Sequence, residues 1–556
     1  MICKKVEEFI KYFREGIDIN ELFFENDEQY LELLERCSIF SPAYYDVLEV
    51  IKKDERFINV FNKTYEKIYN QAKEDDDYAL FYLGKLNYYG IGIEENKELG
   101  IRLLEKASKL NSAEAMKLLF YVYITSDKEK ALSYLKEASK LDDGEALYIL
   151  GAEYFHGDVC EKDYDKARKL LEKAIKGGNY QAMHMLGLMY ENGMGVDKDI
   201  DKAISLYEKI SNGEAVLGNN ALGDLYSKLE DYSKAYNCYK IAADLDDPTG
   251  LYNIGKLLVQ EKIKLDDDSI NEGIRHLMQS GDLGCDMAFL LLGSIYEEGK
   301  VVEKNIDKAI EYYDWAIRFV NTKAMVKMAL KYLEGKDVEK DIEYALKLLN
   351  DAIEEFDIEA YYILGKMYLE GEIVKEDINK GIEYLYFAID NGHVGSMYYL
   401  GRYIIEYENE TFSTNDGIEF CEKAAELGSI DAQFYIGARY QEGEYIDKDL
   451  DKAIYFLEKA SNYGNLEAKV LLSTIYLTEE EYFDNVKGAT YLHDAAENGL
   501  AEAQYCFGIY LYEVSETVEH LLVSKHYIEL ALDQGYEDTD NLLSEIEEAI
   551  KKKKAE

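Results

Sequence analysis

The feature that most constrains this chain is the return of one short text at a fixed interval. Gly365, Gly401 and Gly437 follow one another every 36 residues. Residues 360–371 read Ala-Tyr-Tyr-Ile-Leu-Gly-Lys-Met-Tyr-Leu-Glu-Gly, and residues 432–443 read Ala-Gln-Phe-Tyr-Ile-Gly-Ala-Arg-Tyr-Gln-Glu-Gly. A period of this size means one supersecondary unit stacked many times. Each unit packs only on its neighbours, so 556 residues need not share one globular core. Only Pro42 and Pro248 interrupt the chain, which leaves nearly its whole length able to be helical.

The unit itself can be read from residues 182–213. Ala182, Leu186 and Tyr190 are spaced by four and share a helix face. Gly187 lies beside that face. A glycine inside a helix costs about 1 kcal/mol against alanine, so its recurrence implies that a second helix approaches closely there. Gly193-Met194-Gly195 then ends the helix as a glycine cap and turn. Asp199 is placed to cap a second helix, with its charge at the positive end of the dipole. Ala203, Leu206, Tyr207 and Ile210 form that helix's apolar stripe.

These residues resemble the Sel1-like repeat, a relative of the tetratricopeptide repeat, whose text is A-x-x-x-L-G-x-x-Y-x-x-G-x-G-V followed by D-x-x-K-A and A-A-x-x-G. The matches include Gly193-Met194-Gly195-Val196, Asp201-Lys202-Ala203, Asp307-Lys308-Ala309, Asp451-Lys452-Ala453 and Ala424-Ala425-Glu426-Leu427-Gly428. The resemblance covers residues 78–536 in about thirteen units. It implies an all-α fold, an α/α right-handed superhelical solenoid of helix-turn-helix repeats, acting as an interaction scaffold. Some units depart from the text. Residues 114–141 place Phe120 at the glycine position, residues 219–247 are short and closer to the tetratricopeptide form, and residues 468–499 carry Ser473 in place of glycine. Asp266-Asp267-Asp268 replaces the Gly-x-Gly turn.

Residues 1–77 lack the repeat text but are amphipathic, with Phe9, Ile10, Tyr12 and Phe13 in one cluster and Val47, Val50, Ile51, Phe57, Val60 and Phe61 in another. They read either as a helical cap over the first repeat or as a separate docking module. Residues 537–556 read as a terminal capping helix, Leu542 to Ile550, and a basic tail of lysines 551–554.

The net charge of −48 repels nucleic-acid phosphate and anionic lipid and favours a basic partner. The seven cysteines are irregularly spaced without a CxxC pair, as expected of isolated thiols in a reducing compartment. Charges at Glu7, Glu8, Lys11 and Arg14 interrupt any apolar signal segment, and no apolar run reaches the roughly 18–20 residues of a spanning helix. A cytoplasmic protein is expected.

No cofactor or metal site is expected. Asp197, Asp199, Asp201 and Glu208 have the spacing of an EF-hand loop, as do Asp447, Asp449, Asp451 and Glu458. The sixth position, which requires glycine, is Lys202 or Lys452, so capping is the better reading. The seven histidines show no ligand spacing, and no nucleophile signature appears.

Counting from the alanine of each first helix at about 100° per residue, positions +2, +6 and +9 oppose the Ala–Leu–Tyr stripe. The +2 column holds Phe81, Tyr148, His184, Tyr252, Tyr362, Tyr398, Phe434 and Tyr505. The +6 column holds Lys85, Lys256, Lys366 and Arg402, with Asp224 as the exception, and the +9 column includes Tyr88, Phe155, Leu369, Ile405 and Tyr512. By analogy with tetratricopeptide arrays these columns line a concave, aromatic, mildly basic trough inside an acidic rim. The +2 rings could equally pack between units. The residues expected to touch a partner are Tyr148, Tyr252, Tyr362, Lys366, Tyr398, Arg402, Phe434 and Tyr505. Three functions remain in view: a non-catalytic scaffold for a peptide or protein domain, an immunity or inhibitor protein that neutralises a basic protein, and an enzyme with an unrecognised hydrolase-type site.

Overall fold

The fold is given by a computed structural model, which describes residues 65–90, 93–264, 268–407, 412–536 and 539–555. The apolar clusters of the N-terminal 64 residues, Cys3 and Cys37 lie outside the described residues. Among those described, the regular structure is α-helical, with no strand. Contacts divide the chain into two units, residues 1–285 and 286–556.

Within each unit the helices alternate as the sequence requires. In the second unit, Ile358–Glu370, Val394–Glu406 and Ile430–Glu442 are first helices, and Ile378–Asp390, Thr414–Glu426 and Leu450–Asn462 are their partners, each of 13 residues. Starts and stops are local. The Asp357 carboxylate accepts from the Ala360 amide at 2.9 Å and Asp449 accepts from the Lys452 amide at 3.0 Å. Gly371 and Gly443 end first helices in the left-handed conformation, at φ 67° and 71°. The middle aspartate of each EF-hand-like set is thus a cap: like Asp449, Asp199 accepts from an amide, that of Lys202, at 3.0 Å.

Within each unit, a first helix packs on its own second helix and on the second helix of the repeat that precedes it in that unit. First helices of adjacent repeats also approach one another, as Ile358–Glu370 does with Val394–Glu406, and Tyr180–Asn192 with Ala215–Lys228. They form the inner layer of each unit. The core lies between the layers. Ala360, Leu364, Leu385 and Ala388 are buried, as are Ala432, Ile436, Leu457 and Ala460.

The recurrent glycine is explained by that packing. A Cβ on Gly365 would stand 2.9 Å from Leu385 Cγ and 3.1 Å from the Gly381 carbonyl oxygen. In three repeats the facing residue is tyrosine, and the fit is tighter. A Cβ on Gly187 would meet the Tyr207 ring at 2.3 Å, and those on Gly223 and Gly293 would meet Tyr239 and Tyr313 at 2.4 Å. Each of these rings passes over its glycine and donates its hydroxyl to a carboxylate on the first helix: Tyr207 to Glu191 at 3.0 Å, Tyr239 to Asp224 at 2.7 Å, Tyr313 to Glu297 at 2.7 Å.

Two details differ from the sequence reading. The terminal helix runs past Ile550: lysines 551–554 belong to Thr539–Ala555, three of them exposed, and Lys553 donates to the Ser515 carbonyl at 2.8 Å. Leu369 and Ile405, assigned to the trough, are buried. A glycine near the start of each facing second helix, Gly381 and Gly417, leaves room for these side chains to pack inward. Leu369 fills the space above Gly381, whose Cβ would meet it at 2.8 Å.

Candidate functional site

The partner-facing residues expected from sequence fall in both units. Tyr148 and Tyr252 lie in the first, and Tyr362, Lys366, Tyr398, Arg402, Phe434 and Tyr505 in the second. All eight are partly exposed, neither sealed in the core nor fully solvated. Each ring of the 36-residue series rests one edge on a core cluster and leaves the remainder accessible: Tyr362 on Leu385 and Leu400, and Tyr398 and Phe434 on the cluster around Ile436.

The second unit draws four of them, Tyr362, Lys366, Tyr398 and Arg402, into one network across the helices Ile358–Glu370, Val394–Glu406 and Ile430–Glu442. Tyr362 meets the edge of Tyr399 at 6.2 Å between centroids, and Tyr399 donates to Glu370 at 2.9 Å. Lys366 lies 5.6 Å and Arg402 5.7 Å from the Tyr399 ring centre. Tyr398 continues to Tyr435 in a T-shaped pair at 5.9 Å, and Arg439 lies 5.3 Å from the Tyr435 ring. Lys366 and Arg402 hold their own helices' Glu370 and Glu406 only loosely, at 3.6 Å and 3.7 Å, with side chains 43 % and 41 % exposed. Both cations can therefore reorganise towards a partner at small cost, because exposed pairs of this kind contribute about 0–1 kcal/mol.

His393 closes one end of the network. It caps its helix by accepting the Ser396 amide on Nδ1 at 3.0 Å, which leaves Nε2 to face Glu359 at 3.3 Å. The ring also packs on Tyr362 at 4.8 Å. The hydrogen bond from His393 holds the Glu359 carboxyl below its ordinary range. Burial pushes the phenols of Tyr362 and Tyr398 upward, so both stay protonated donors.

Tyr148 and Tyr252 stand apart from this network in sequence and in unit. Tyr148 packs beside Leu150 and Leu171. Lys256 lies 5.9 Å from the Tyr252 ring. Tyr505 pairs with Tyr536 at 4.8 Å. The residues that sequence reasoning missed are Tyr399, Tyr435 and Arg439. The first two follow the +2 column by one position, where neighbouring repeats carry Ile363 and Leu471. Tyrosine in two successive repeats, where Ile363 and Leu471 flank them in the series, was the available signal.

Comparison with known proteins places this geometry. A search of curated proteins finds no match. Among solved structures, the chain is similar to a protective antigen of uropathogenic Escherichia coli displaying an SLR fold, with 21 % identity, 86 % of this chain and 97 % of that one covered, and a TM-score of 0.45. It is similar to a Sel1 repeat protein from Oxalobacter formigenes, with 22 % identity, 50 % and 100 % coverage and a TM-score of 0.33. It is also similar to the immunity protein Pa5087 from Pseudomonas aeruginosa, with 21 % identity, 44 % and 81 % coverage and a TM-score of 0.28. The tetratricopeptide repeat model matches residues 220–250, the unit whose sequence is closest to that form. The Sel1 repeat model matches residues 77–112, 114–143, 144–179, 181–213, 290–316, 322–355, 358–393, 394–429 and 430–465. These segments make up more than half of the sequence, and the chain belongs to the Sel1 repeat family.

Proposed function

We propose that this repeat protein is a non-catalytic scaffold that holds a peptide or protein domain on the inner layer of its second unit. The observation that carries the reading is the run of contacts from Tyr362 through Tyr399, Arg402 and Tyr398 to Tyr435, in which buried Tyr399 and Tyr435 support the partly exposed Tyr362, Lys366, Tyr398 and Arg402 across three successive first helices. Tyrosine suits such a face: it supplies contact area at low conformational cost and a hydrogen-bonding tip. The helices are already ordered, so the surface loses little freedom on binding. Phe434 extends the face by one repeat, and Lys366 and Arg402 supply movable charge. Tyr148, Tyr252 and Tyr505 extend the same register to other repeats.

The test is affinity capture from the native cell with the full chain and a Tyr362→Ala/Tyr398→Ala/Phe434→Ala variant. The scaffold reading predicts a partner recovered by the first and lost by the second at unchanged helix content. Equal recovery by both contradicts it. The net charge of −48 supports a more specific form, in which the partner is basic and the chain neutralises it as an immunity or inhibitor protein would. That form predicts an association rate that falls steeply with added salt.

A further inference from the structure

A second surface lies at the turns between repeats, and it meets the aromatic network at Glu359 and His393. Each second helix of this region ends in a residue with positive φ, one position before the cap of the next helix. At the 36-residue register these residues are Gly284, Val320, Phe356, Gly392, Gly428 and Gly464, with φ of 98°, 64°, 59°, 84°, 95° and 90°. Four are glycine, the residue that adopts this conformation without strain. Val320 and Phe356 are the two exceptions. A β-branched or aromatic side chain here is a conformational outlier, and neither is compensated by burial. Val320 is 50 % exposed and Phe356 is 69 % exposed. Strained backbone that supports an exposed apolar side chain does nothing for the fold that glycine would not do better, and such outliers cluster where a ligand is held.

The surroundings define what would cover them. Phe356 stands beside Phe387, 6.4 Å between ring centroids. It lines an open notch with Thr322, Glu355, Glu359, Gly392 and His393, so three consecutive turns border one depression. Trp315, the only tryptophan of the chain, is 40 % exposed on the helix that leads into the Val320 turn. It stacks on Phe289, with the Arg318 guanidinium 4.5 Å from its ring. Glu354, Glu355 and Glu359 are exposed around Phe356. Arg318, already placed on Trp315, and Lys323 flank the Val320 turn instead. The patch is therefore apolar at its centre and acidic at its edge.

We propose that the Val320 and Phe356 turns form a second docking site, for a segment that alternates apolar side chains with lysine or arginine. The apolar side chains cover Val320 and Phe356. The cations meet Glu354 and Glu355 and the face of the Phe356 ring.

The experiment uses the full chain and three synthetic 12-residue peptides in which leucine alternates with lysine, glutamate or serine. Binding is read by Trp315 fluorescence and calorimetry. The leucine–lysine peptide binds and perturbs Trp315, and the other two bind at least tenfold more weakly. Val320→Gly/Phe356→Gly lowers affinity at least tenfold while the melting temperature stays equal or rises, because glycine relaxes both turns. Tyr398→Ala/Phe434→Ala, which spares the Tyr362 ring packed on His393, leaves this affinity unchanged, which separates the site from the aromatic face. The proposal is overturned if no peptide binds, if the glutamate or serine peptide binds as well, if the glycine variant keeps wild-type affinity, or if it loses affinity only together with a lower melting temperature.

Discussion

Lys452 lies over the ring of Tyr440, its Nζ 4.7 Å from the centroid and 2.9 Å from the phenol oxygen. The same Nζ donates to Glu422 at 2.8 Å, and Tyr440 donates to Glu422 at 2.7 Å. Glu422 belongs to the preceding repeat's second helix, Tyr440 to the first helix and Lys452 to the next second helix, so three side chains tie three helices. The arrangement recurs with Lys487, Tyr476 and Glu458, and with Lys130, Tyr123 and Glu105. Lys380 over Tyr368 and Lys308 over Tyr296 repeat its lysine–tyrosine half. The lysine of the D-x-x-K-A text and the tyrosine of the first helix are thus one device, a clamp between consecutive repeats.

Lys452→Met keeps the aliphatic stem and removes the charge. It should destabilise the second unit by about 1 kcal/mol, the sum expected of an exposed cation–π contact and a partly exposed ion pair. Urea unfolding checks the value, and hydrogen exchange should show the loss concentrated at the helix Leu450–Asn462.

Gly187→Ala places a methyl against the Tyr207 ring, where no room exists. The helix-propensity gain of about 1 kcal/mol is outweighed by overpacking of about 1–3 kcal/mol plus disturbance of the buried Tyr207–Glu191 hydrogen bond. Adding Tyr207→Leu, the residue type that faces Gly365 and Gly437 in other repeats, should recover part of the loss. A double-mutant cycle by urea unfolding measures the coupling, and strictly additive losses would contradict the fit described here.

Glu297 makes stability depend on acid. Burial raises its pKa, but hydrogen bonds from Lys327, Lys331 and Tyr313 outweigh that and hold the carboxyl at about 2. A folded-state pKa below the unfolded value contributes stability above the unfolded pKa, and that contribution fades as pH falls through the folded one. Glu297→Gln should therefore be less stable than wild type at pH 7 by about 1–3 kcal/mol. The difference should begin to shrink below about pH 4.3, the usual glutamate pKa. A constant difference from pH 7 to pH 3.5 in urea titrations would contradict the assignment.

The repeating helical architecture was legible because its signals are local and redundant. Asp199 and Asp449 announce caps, Gly193 and Gly443 announce stops, and Gly365 announces a close approach. Each recurs often enough to survive single departures such as Ser473, which sits buried with its hydroxyl bonded to the Val470 carbonyl. The inner face was only partly legible. The +2 rings are partly exposed, but Leu369 and Ile405 fill the room left by Gly381 and Gly417, a contact between helices that an angle counted along one helix does not contain. Tyr399, Tyr435 and the lysine–tyrosine clamp depend on contacts between repeats, which no single unit's text contains. The Val320 and Phe356 turns are visible in the 36-residue frame only once glycine is known to hold that position for its backbone.

The central claim is that the inner layer of the second unit receives the partner. A photo-activated benzoylphenylalanine placed in turn at Tyr362, Tyr398 and Phe434, and at exposed Tyr455 on a second helix, measures this directly in cells. The account predicts cross-links to one and the same protein from the first three positions and none to it from Tyr455. Cross-links from Tyr455, with none from Tyr362, Tyr398 or Phe434, would contradict it.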